Sequence, residues 1–462
     1  MSRPMLLNGF TQCCINHHSE GQWKNPLDGS SRGYRNIRYW VELAQLLERG
    51  GFDCLFLADV HGTYDVYRGS RETAVRHGVQ FPSNDPTVII PAMAYGTRHL
   101  GFACTYSTTY FAPYQTAKLF STLDHLSDGR VAWNIVTSYL ADANANFGLT
   151  EVLEHDARYD RAEEYMEVVY KLWEHSWEEN AVVRDAARDV FTEPSRVHQI
   201  DHTGRWFNVP GPHMCEPSPQ RTPVLFQAGQ SGRGTQFAAR HAEAVFCVYP
   251  NLAACAAGVA RLREAVVAEG RPRDAVKICQ GISVVVAPTE AEARAKLASY
   301  RQYTSPEGSL ALFCGWAGID LSQVDPDSDL SKLTSNAIQG VLNVFRQFDP
   351  DRRWTIREMG ECISMGSIMP KFVGTPAQVV DELEHWQDEA DLDGFNLAPI
   401  VQPAGFADFV DLVVPELKRR GLRPADYAGR TLREHFFGFG HARLDDSHIA
   451  HRTLPPWRQA AG

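Results

Sequence analysis

A short turn rich in glycine, at residues 229–234, could bind a phosphate group. The apolar run at 224–226 before it predicts a strand, and the pattern at 236–244 after it predicts a helix. The first turn of a helix leaves backbone N–H groups unpaired and carries a partial positive charge. Because Gly229 lets an anion approach the backbone and Ser231 adds a hydroxyl, the turn predicts a phosphate site. The alternative is an ordinary strand-to-helix turn that needs glycine only for its backbone angles.

Other polar side chains stand where further predicted strands end, and their types suit ligand binding or proton transfer. Asn134 lies in an otherwise apolar strand, and a buried amide without partners costs about 1 to 3 kcal/mol, so it needs the backbone or a ligand. Asp59 either belongs to the site or caps a turn. The remaining candidates are Cys14, His17, Tyr64, Gln80, Thr105, Ser138, Tyr139, His155 and Tyr159.

The loop that contains Cys13, Cys14, His17 and His18 has the residue types of a metal site. Neighbouring loop residues rarely point at one atom, however, so we expect no metal there. The sequence also has no H-E-x-x-H and no G-x-S-x-G motif, so zinc protease and esterase functions lack support.

Eight short apolar segments alternate with helical patterns along the chain, and these elements must position the candidate residues. The alternation predicts a parallel sheet, and eight strands predict a TIM (β/α)8 barrel of the α/β class. In such a barrel the active site lies at the carboxyl ends of the strands, where the candidates stand. The strands are predicted at 5–10, 54–58, 100–107, 130–137, 224–226, 244–248, 277–286 and 394–398.

We expect one barrel domain over residues 1–462, interrupted by two insertions and followed by an extension. The first insertion, 180–222, contains a predicted hairpin with arms at 197–200 and 206–209. The second, 301–372, follows the seventh strand and has no regular pattern. The C-terminal extension, 430–462, is predicted to lie over the barrel or a second subunit.

Composition limits the partners and the compartment. The 462 residues carry a net charge of −11, which argues against nucleic acid or an anionic membrane as partner. No apolar run approaches the length of a membrane span or resembles a signal peptide. Ten scattered cysteines with no C-x-x-C pair suit free thiols in a reducing cytoplasm. The sequence therefore predicts a cytoplasmic protein.

Several motifs resemble those of the bacterial-luciferase-like, flavin-dependent monooxygenases. Within that superfamily the chain is similar to the branch of the nitrilotriacetate, dibenzothiophene-sulfone and long-chain-alkane monooxygenases. The resemblance runs from about residue 5 to 440 and is carried by L-D-H-L-S-D-G-R-V-A-W-N-I-V-T-S at 123–138, L-E-H-D-A-R-Y-D at 153–160, F-L-A-D at 56–59, and Q-A-G with Ser231 at 227–231.

The resemblance implies a two-component enzyme. Reduced FMN would arrive from a separate NAD(P)H:flavin reductase and react with dioxygen to a flavin hydroperoxide, which oxidises a small organic, apolar or ring-containing substrate. A homodimer or homotetramer is expected. The implied FMN positions are Asp59, Thr105, Asn134, Ser138, His155, Tyr159, Gly229 and Ser231, with Tyr159 and Ser231 at the phosphate. The implied catalytic positions that face the pocket are Cys14, His17, Tyr64, Gln80 and Tyr139.

Two departures leave the substrate open. Tyr139 and Leu312 stand where alkane-type relatives carry histidines, which puts alkane hydroxylation in question. Flavin-cleaving lyases of the riboflavin lyase type belong to the same neighbourhood, so the substrate could itself be a flavin-like ring. A deazaflavin-dependent oxidoreductase of the same fold, and a barrel that binds flavin without catalysis, also stay open.

Overall fold

The computed structural model describes residues 3–15, 17–150, 153–229, 231–329 and 354–452. Eight parallel strands close into a barrel, because the first strand pairs with both the second and the eighth, and the sixth pairs with the seventh. Each of the eight predicted barrel strands is confirmed, with ends that differ by at most two residues. The strands are β1 Leu6–Gln12, β2 Cys54–Ala58, β3 Gly101–Ser107, β4 Val131–Val136, β5 Val224–Gln227, β6 Ala244–Cys247, β7 Lys277–Val286 and β8 Gly394–Leu397.

Aromatic side chains fill the inside of the barrel. Phe10 lies edge-to-face against Phe246, with ring centroids 4.4 Å apart, and Phe56 lies in the same way 5.3 Å from both Phe226 and Phe246. All four rings are buried. Edge-to-face contacts suit the quadrupoles of the rings, so the lumen is a packed core and any ligand must bind at a rim.

Helices pack around the barrel, and capping residues begin several of them. Thr375 forms a capping box with Gln378, and Pro376 occupies the first turn. The last barrel helix changes to a π turn at Phe409–Val413 just before Pro415, in agreement with the kink that proline predicts. The main helices are Ile37–Arg49, Ile90–Tyr95, Pro113–Leu126, His155–Tyr170, Gly232–His241, Leu252–Ala268, Glu290–Arg301, Pro376–Glu389, Ala404–Asp408 and Val414–Arg419.

The segment 180–222 contains two hairpins rather than one. Val182–Asp185 pairs with Val190–Thr192, and His202–Thr203 pairs with Asn208–Val209. The predicted first arm at 197–200 was wrong. The chain turns at 204–207, and the observed first arm, His202–Thr203, lies directly before that turn. Both hairpins are partly exposed, so weak apolar alternation gave little information about their register.

The segment 301–372 is more regular than its sequence pattern indicates. Helices form at Pro306–Ala317 and Ile356–Ile363, and the strand Lys371–Gly374 pairs with the end of β7 outside the closed barrel. The helix Pro306–Ala317 could not be predicted from the sequence pattern, because it is apolar almost throughout and shows no helical period. Part of this segment, 330–353, lies outside the described residues.

The described part of the C-terminal extension closes the barrel at the amino ends of its strands. The helix Leu432–Phe437 begins with a capping box at Thr431, and Phe436 packs 5.7 Å from Phe226 between ring centroids. Its Arg433, which is 1% exposed, forms a bidentate ion pair with Glu243 at 2.7 and 3.0 Å. No helix in the described ranges is long and apolar enough to cross a membrane.

Candidate active site

A cavity of about 250 Å³ opens at the carboxyl ends of β2 to β5. This is the rim where a TIM barrel places its active site. Six of the predicted residues line it: Asp59, Thr105, Ser138, Tyr139, Tyr159 and Gly229. Five lining residues with polar side chains are absent from the candidate residues given above, namely His61, Ser107, Tyr110, Thr137 and Gln227.

Hydrogen bonds between β3 and β4 fix the floor of the cavity. Asn134 lies behind the lining and donates from Nδ2 to Thr105 Oγ1 at 2.8 Å, while its buried Oδ1 has no partner among the described residues. The hydroxyls of Ser107 and Ser138 lie 2.8 Å apart, and Ser138 has a φ of 45°. A left-handed serine costs free energy, so the chain holds this hydroxyl in place against its backbone preference.

Small residues and hydroxyls converge at the other end of the cavity, where the helix Gly232–His241 begins. Ser231 is its N-cap and accepts a hydrogen bond from Gly234 N at 3.0 Å, and His155 Nε2 lies 3.2 Å from the Ser231 hydroxyl. A Cβ added to Gly229 or Gly234 would approach the Tyr159 hydroxyl to 2.8 Å. Glycine is therefore required for space here, and the open helix terminus suits an anion.

Arg158 supplies a positive charge that the sequence analysis missed. It precedes Tyr159 in the helix, and its charge acts on the hydroxyls of both Tyr110 and Tyr159. Its buried Nε has no hydrogen-bond partner among the described residues, whereas the nearby Arg233 is bound to Asp160 at 3.0 Å. The sequence feature that could have identified Arg158 is its place beside Tyr159 in the 153–160 motif.

Asp59 and His61 form a close pair of titratable groups in the cavity wall. Asp59 Oδ2 lies 3.5 Å from His61 Nε2, and the side chains are 8% and 24% exposed. Burial raises the pKa of the Asp59 carboxyl to about 8, and the negative charge of Asp85 adds to the rise. Burial lowers the pKa of His61. Both groups are therefore uncharged near neutral pH.

The outer wall is aromatic. Tyr110 stacks on Phe147 with ring centroids 4.4 Å apart, and His61 lies edge-to-face against both rings and Phe111. Among the residues described, no lysine or arginine lines the cavity. The wall therefore suits a flat or apolar group rather than a polyanion.

The structure buries four predicted catalytic residues outside the cavity lining. Tyr64 donates to Gln80 Oε1 at 2.9 Å, and Cys14 is 2% exposed. His17 packs against Phe10, with ring centroids 4.4 Å apart. Of the five predicted catalytic residues only Tyr139 reaches the cavity. The described residues contain no group of three or more His, Cys, Asp or Glu side chains that could hold a metal ion.

Comparison with known proteins gives a consistent result. The family described as luciferase-like monooxygenase matches residues 15–391. A long-chain alkane monooxygenase of Geobacillus thermodenitrificans is 48% identical, over 98% of this chain and 98% of that protein. A dimethyl-sulfide monooxygenase of Hyphomicrobium sulfonivorans is 46% identical, over 97% and 94%. The solved structure of a riboflavin lyase with modified FMN and the substrate riboflavin superimposes with a TM-score of 0.87 at 35% identity, over 97% of this chain and 99% of that one.

Proposed function

Because the chain belongs to the luciferase-like monooxygenase family of flavin-dependent oxidoreductases, we propose that it uses reduced FMN and dioxygen to oxidise a small apolar or ring-containing molecule. The observation that carries this proposal is the continuity of the cavity with the anion site at the start of the helix Gly232–His241. A flat ring with a phosphate tail has that combination of an apolar body and an anionic end.

The residues present fit FMN. Ser231, Tyr159 and Arg158 would bind the phosphate, and the glycines leave room for it. The unpartnered Asn134 Oδ1, together with Thr105, Ser138 and Asp59, offers hydrogen-bond partners for the polar edge of a ring. Bound FMN supplies the reducing equivalents that activate dioxygen. The protein orients the ring and keeps water from it, and His155 holds the Ser231 hydroxyl in place.

We further propose that a separate NAD(P)H:flavin reductase delivers the reduced FMN, since the sequence has no dinucleotide-binding fingerprint. The ten cysteines are free thiols, which supports a cytoplasmic setting. A homodimer or homotetramer remains our expectation from the family resemblance. Cys14, His17, Tyr64 and Gln80 would act from behind the cavity, and Tyr139 from its wall.

We expect Tyr159→Phe and Ser231→Ala each to weaken FMN binding by about 1 to 2 kcal/mol, because each loses a hydrogen bond to a charged group. The measurement is a flavin fluorescence titration. Riboflavin is the matched control, since it lacks the phosphate and its affinity should not change. Equal losses for FMN and riboflavin would show that the phosphate does not bind at these hydroxyls.

The cavity wall indicates the substrate class. The three arginines of the second βα loop all pair with acidic side chains: Arg68 with Glu307 at 2.8 Å, Arg71 with Asp142 at 3.0 Å and Arg76 with Glu72 at 2.6 Å. A polycarboxylate would need such cations free in order to offset its desolvation. An apolar or ring-shaped substrate needs only an aromatic surface, which Tyr110 offers in the cavity wall with Phe147 stacked against it.

With reduced FMN supplied, we therefore expect turnover of long alkanes, alkyl sulfides, aromatic sulfones or riboflavin, and none of aminopolycarboxylates. The assay measures substrate-dependent product formation and oxygen uptake. Arg71→Ala should leave the rate unchanged, because its guanidinium faces Asp142. Turnover confined to aminopolycarboxylates, and lost in Arg71→Ala, would reverse the assignment.

Flavin cleavage is a second candidate function. The stacked pair Tyr110 and Phe147 presents an aromatic surface beside the cavity, and a flavin ring could stack there as substrate. The likeness to the riboflavin lyase structure supports including this reaction. Disappearance of riboflavin in the same assay, with reduced FMN and dioxygen present, distinguishes it from oxidation of an alkane or a sulfide.

A further inference from the structure

The Asp59–His61 pair lies in the wall of the cavity where a flavin ring would bind, and His61 has been given no role so far. Both side chains line the cavity, and their nearest atoms are 3.5 Å apart. His61 lies in the loop after β2, and its backbone carbonyl accepts from Asn146 Nδ2 at 3.1 Å. Its position is therefore held by the helix Ala141–Asn146 of the fourth loop.

The packing around His61 leaves one ring nitrogen available. Tyr110, Phe111 and Phe147 surround the imidazole edge-to-face at 5.4 to 5.6 Å between centroids. Nε2 is directed to Asp59, and Nδ1 makes no hydrogen bond to any described residue. The imidazole can therefore accept a proton without breaking a contact in the protein.

The charged and titratable groups around the pair are few. Asp85 acts on both members. The other groups near Asp59 are the thiols of Cys13 and Cys104, and burial raises the pKa of both, so they stay neutral. Tyr110 is the titratable group packed on His61; burial raises its pKa, and the positive charge of Arg158 acts on its hydroxyl. At neutral pH Asp59 is thus protonated and His61 is neutral. The imidazole can therefore take up one further proton.

The rings of reduced and oxidised flavin differ in charge near neutral pH. The reduced ring loses its N1 proton near neutrality and is then an anion, whereas the oxidised ring is neutral. A cavity of about 250 Å³ is roughly 8 Å across if spherical, so any charge inside it lies within Coulombic reach of its wall. A neutral Asp59 avoids repulsion of the anion, and a protonated His61 would attract it.

We propose that His61 is a specificity-determining residue of the flavin site, which takes up one solvent proton when anionic reduced FMN binds and so favours reduced over oxidised FMN. The proton moves from solvent to the imidazole, and no electron leaves the flavin. This inference rests on the proposed function, because it requires FMN in the cavity.

The test is anaerobic titration calorimetry of the full chain with reduced and with oxidised FMN at pH 7, in two buffers of different ionisation enthalpy. The wild type should take up about one proton with reduced FMN and none with oxidised FMN, as one titrating site allows. His61→Gln should abolish the uptake and lower the preference for reduced FMN about tenfold, the equivalent of one pKa unit of coupling. Its affinity for oxidised FMN should stay within about twofold.

His77→Gln is the matched control, since His77 forms a similar pair with Glu307, at 3.3 Å, outside the cavity. It should behave as the wild type, and Asp59→Asn, whose side chain is neutral as the protonated carboxyl is, should retain the uptake. Proton uptake that persists in His61→Gln, or that His77→Gln removes equally, would overturn the inference while FMN binding stands. Failure of the wild type to bind either form of FMN would overturn the proposed function and this inference together.

Discussion

Arg433→Ala should lower the free energy of unfolding by about 3 to 5 kcal/mol, the cost of breaking a buried ion pair on one side. Glu243 would keep a buried charge with one remaining hydrogen bond, from Leu225 N at 3.1 Å. The guanidinium also donates to the carbonyls of Thr222 and Ala442, at 2.8 and 3.0 Å, so its loss loosens the closure of the barrel at the amino ends of the strands. The measurement is chemical denaturation followed by circular dichroism.

The exposed Arg419 provides the matched control. It forms the same bidentate geometry with Glu416, at 2.6 Å for both contacts, but its side chain is 69% exposed. Arg419→Ala should leave the unfolding midpoint within error, because surface pairs contribute little. The double variant Arg433→Met with Glu243→Gln should regain part of the loss, since no buried charge then remains. Equal midpoints for Arg433→Ala and wild type would contradict this account.

Asp59→Asn should stabilise the flavin-free chain at alkaline pH, by at most about 5 kcal/mol, because the pKa rise of roughly four units corresponds to about 1.36 kcal/mol per unit. The folded pKa, about 8, lies above the ordinary 3.8. Below about pH 4 the carboxyl is protonated in the folded and the unfolded chain alike. As pH rises to 8 the unfolded chain loses the proton first, so the stability of the wild type falls through this window. Asparagine has no carboxyl to ionise, so the stability of Asp59→Asn should not fall in this way as pH rises.

The measurement is the free energy of unfolding of both proteins from pH 4.5 to 8.5, without flavin. The difference between them should grow with pH and level off near the top of the range. Asp411→Asn is the control, because that carboxyl is 54% exposed and pairs with Arg49 at the surface. A difference that does not change with pH would show that Asp59 is not kept protonated by the fold.

The barrel could be predicted from the sequence because its signals are local and repeated. Parallel strands buried on both faces give short apolar runs, and each is followed by a helical period with a stop or cap such as Gly50 or Thr375. The hairpins and the helix Pro306–Ala317 could not be predicted in the same way. The hairpins are too exposed, and the helix is too uniformly apolar, for an apolar periodicity to show in the sequence.

The cavity lining was predictable where a residue stands within two positions of a strand end, as Asp59, Ser138 and Gly229 do. It was not predictable where long-range packing decides which side chain reaches the cavity. His61 stands two positions after Asp59, and its imidazole reaches the same cavity because it packs against Tyr110, Phe111 and Phe147. Tyr64 stands in the expected loop, yet its hydrogen bond to Gln80 holds it in the core behind that space.

The central claim, that this chain is a monooxygenase dependent on reduced FMN, is tested most directly by isotope labelling. Reduced FMN is mixed with the chain, ¹⁸O₂ and an alkane, an alkyl sulfide or riboflavin, and the product is analysed by mass spectrometry. We predict that one atom of the dioxygen enters the product and the other appears in water. Product without label, or release of both atoms as hydrogen peroxide with every substrate, would contradict the claim.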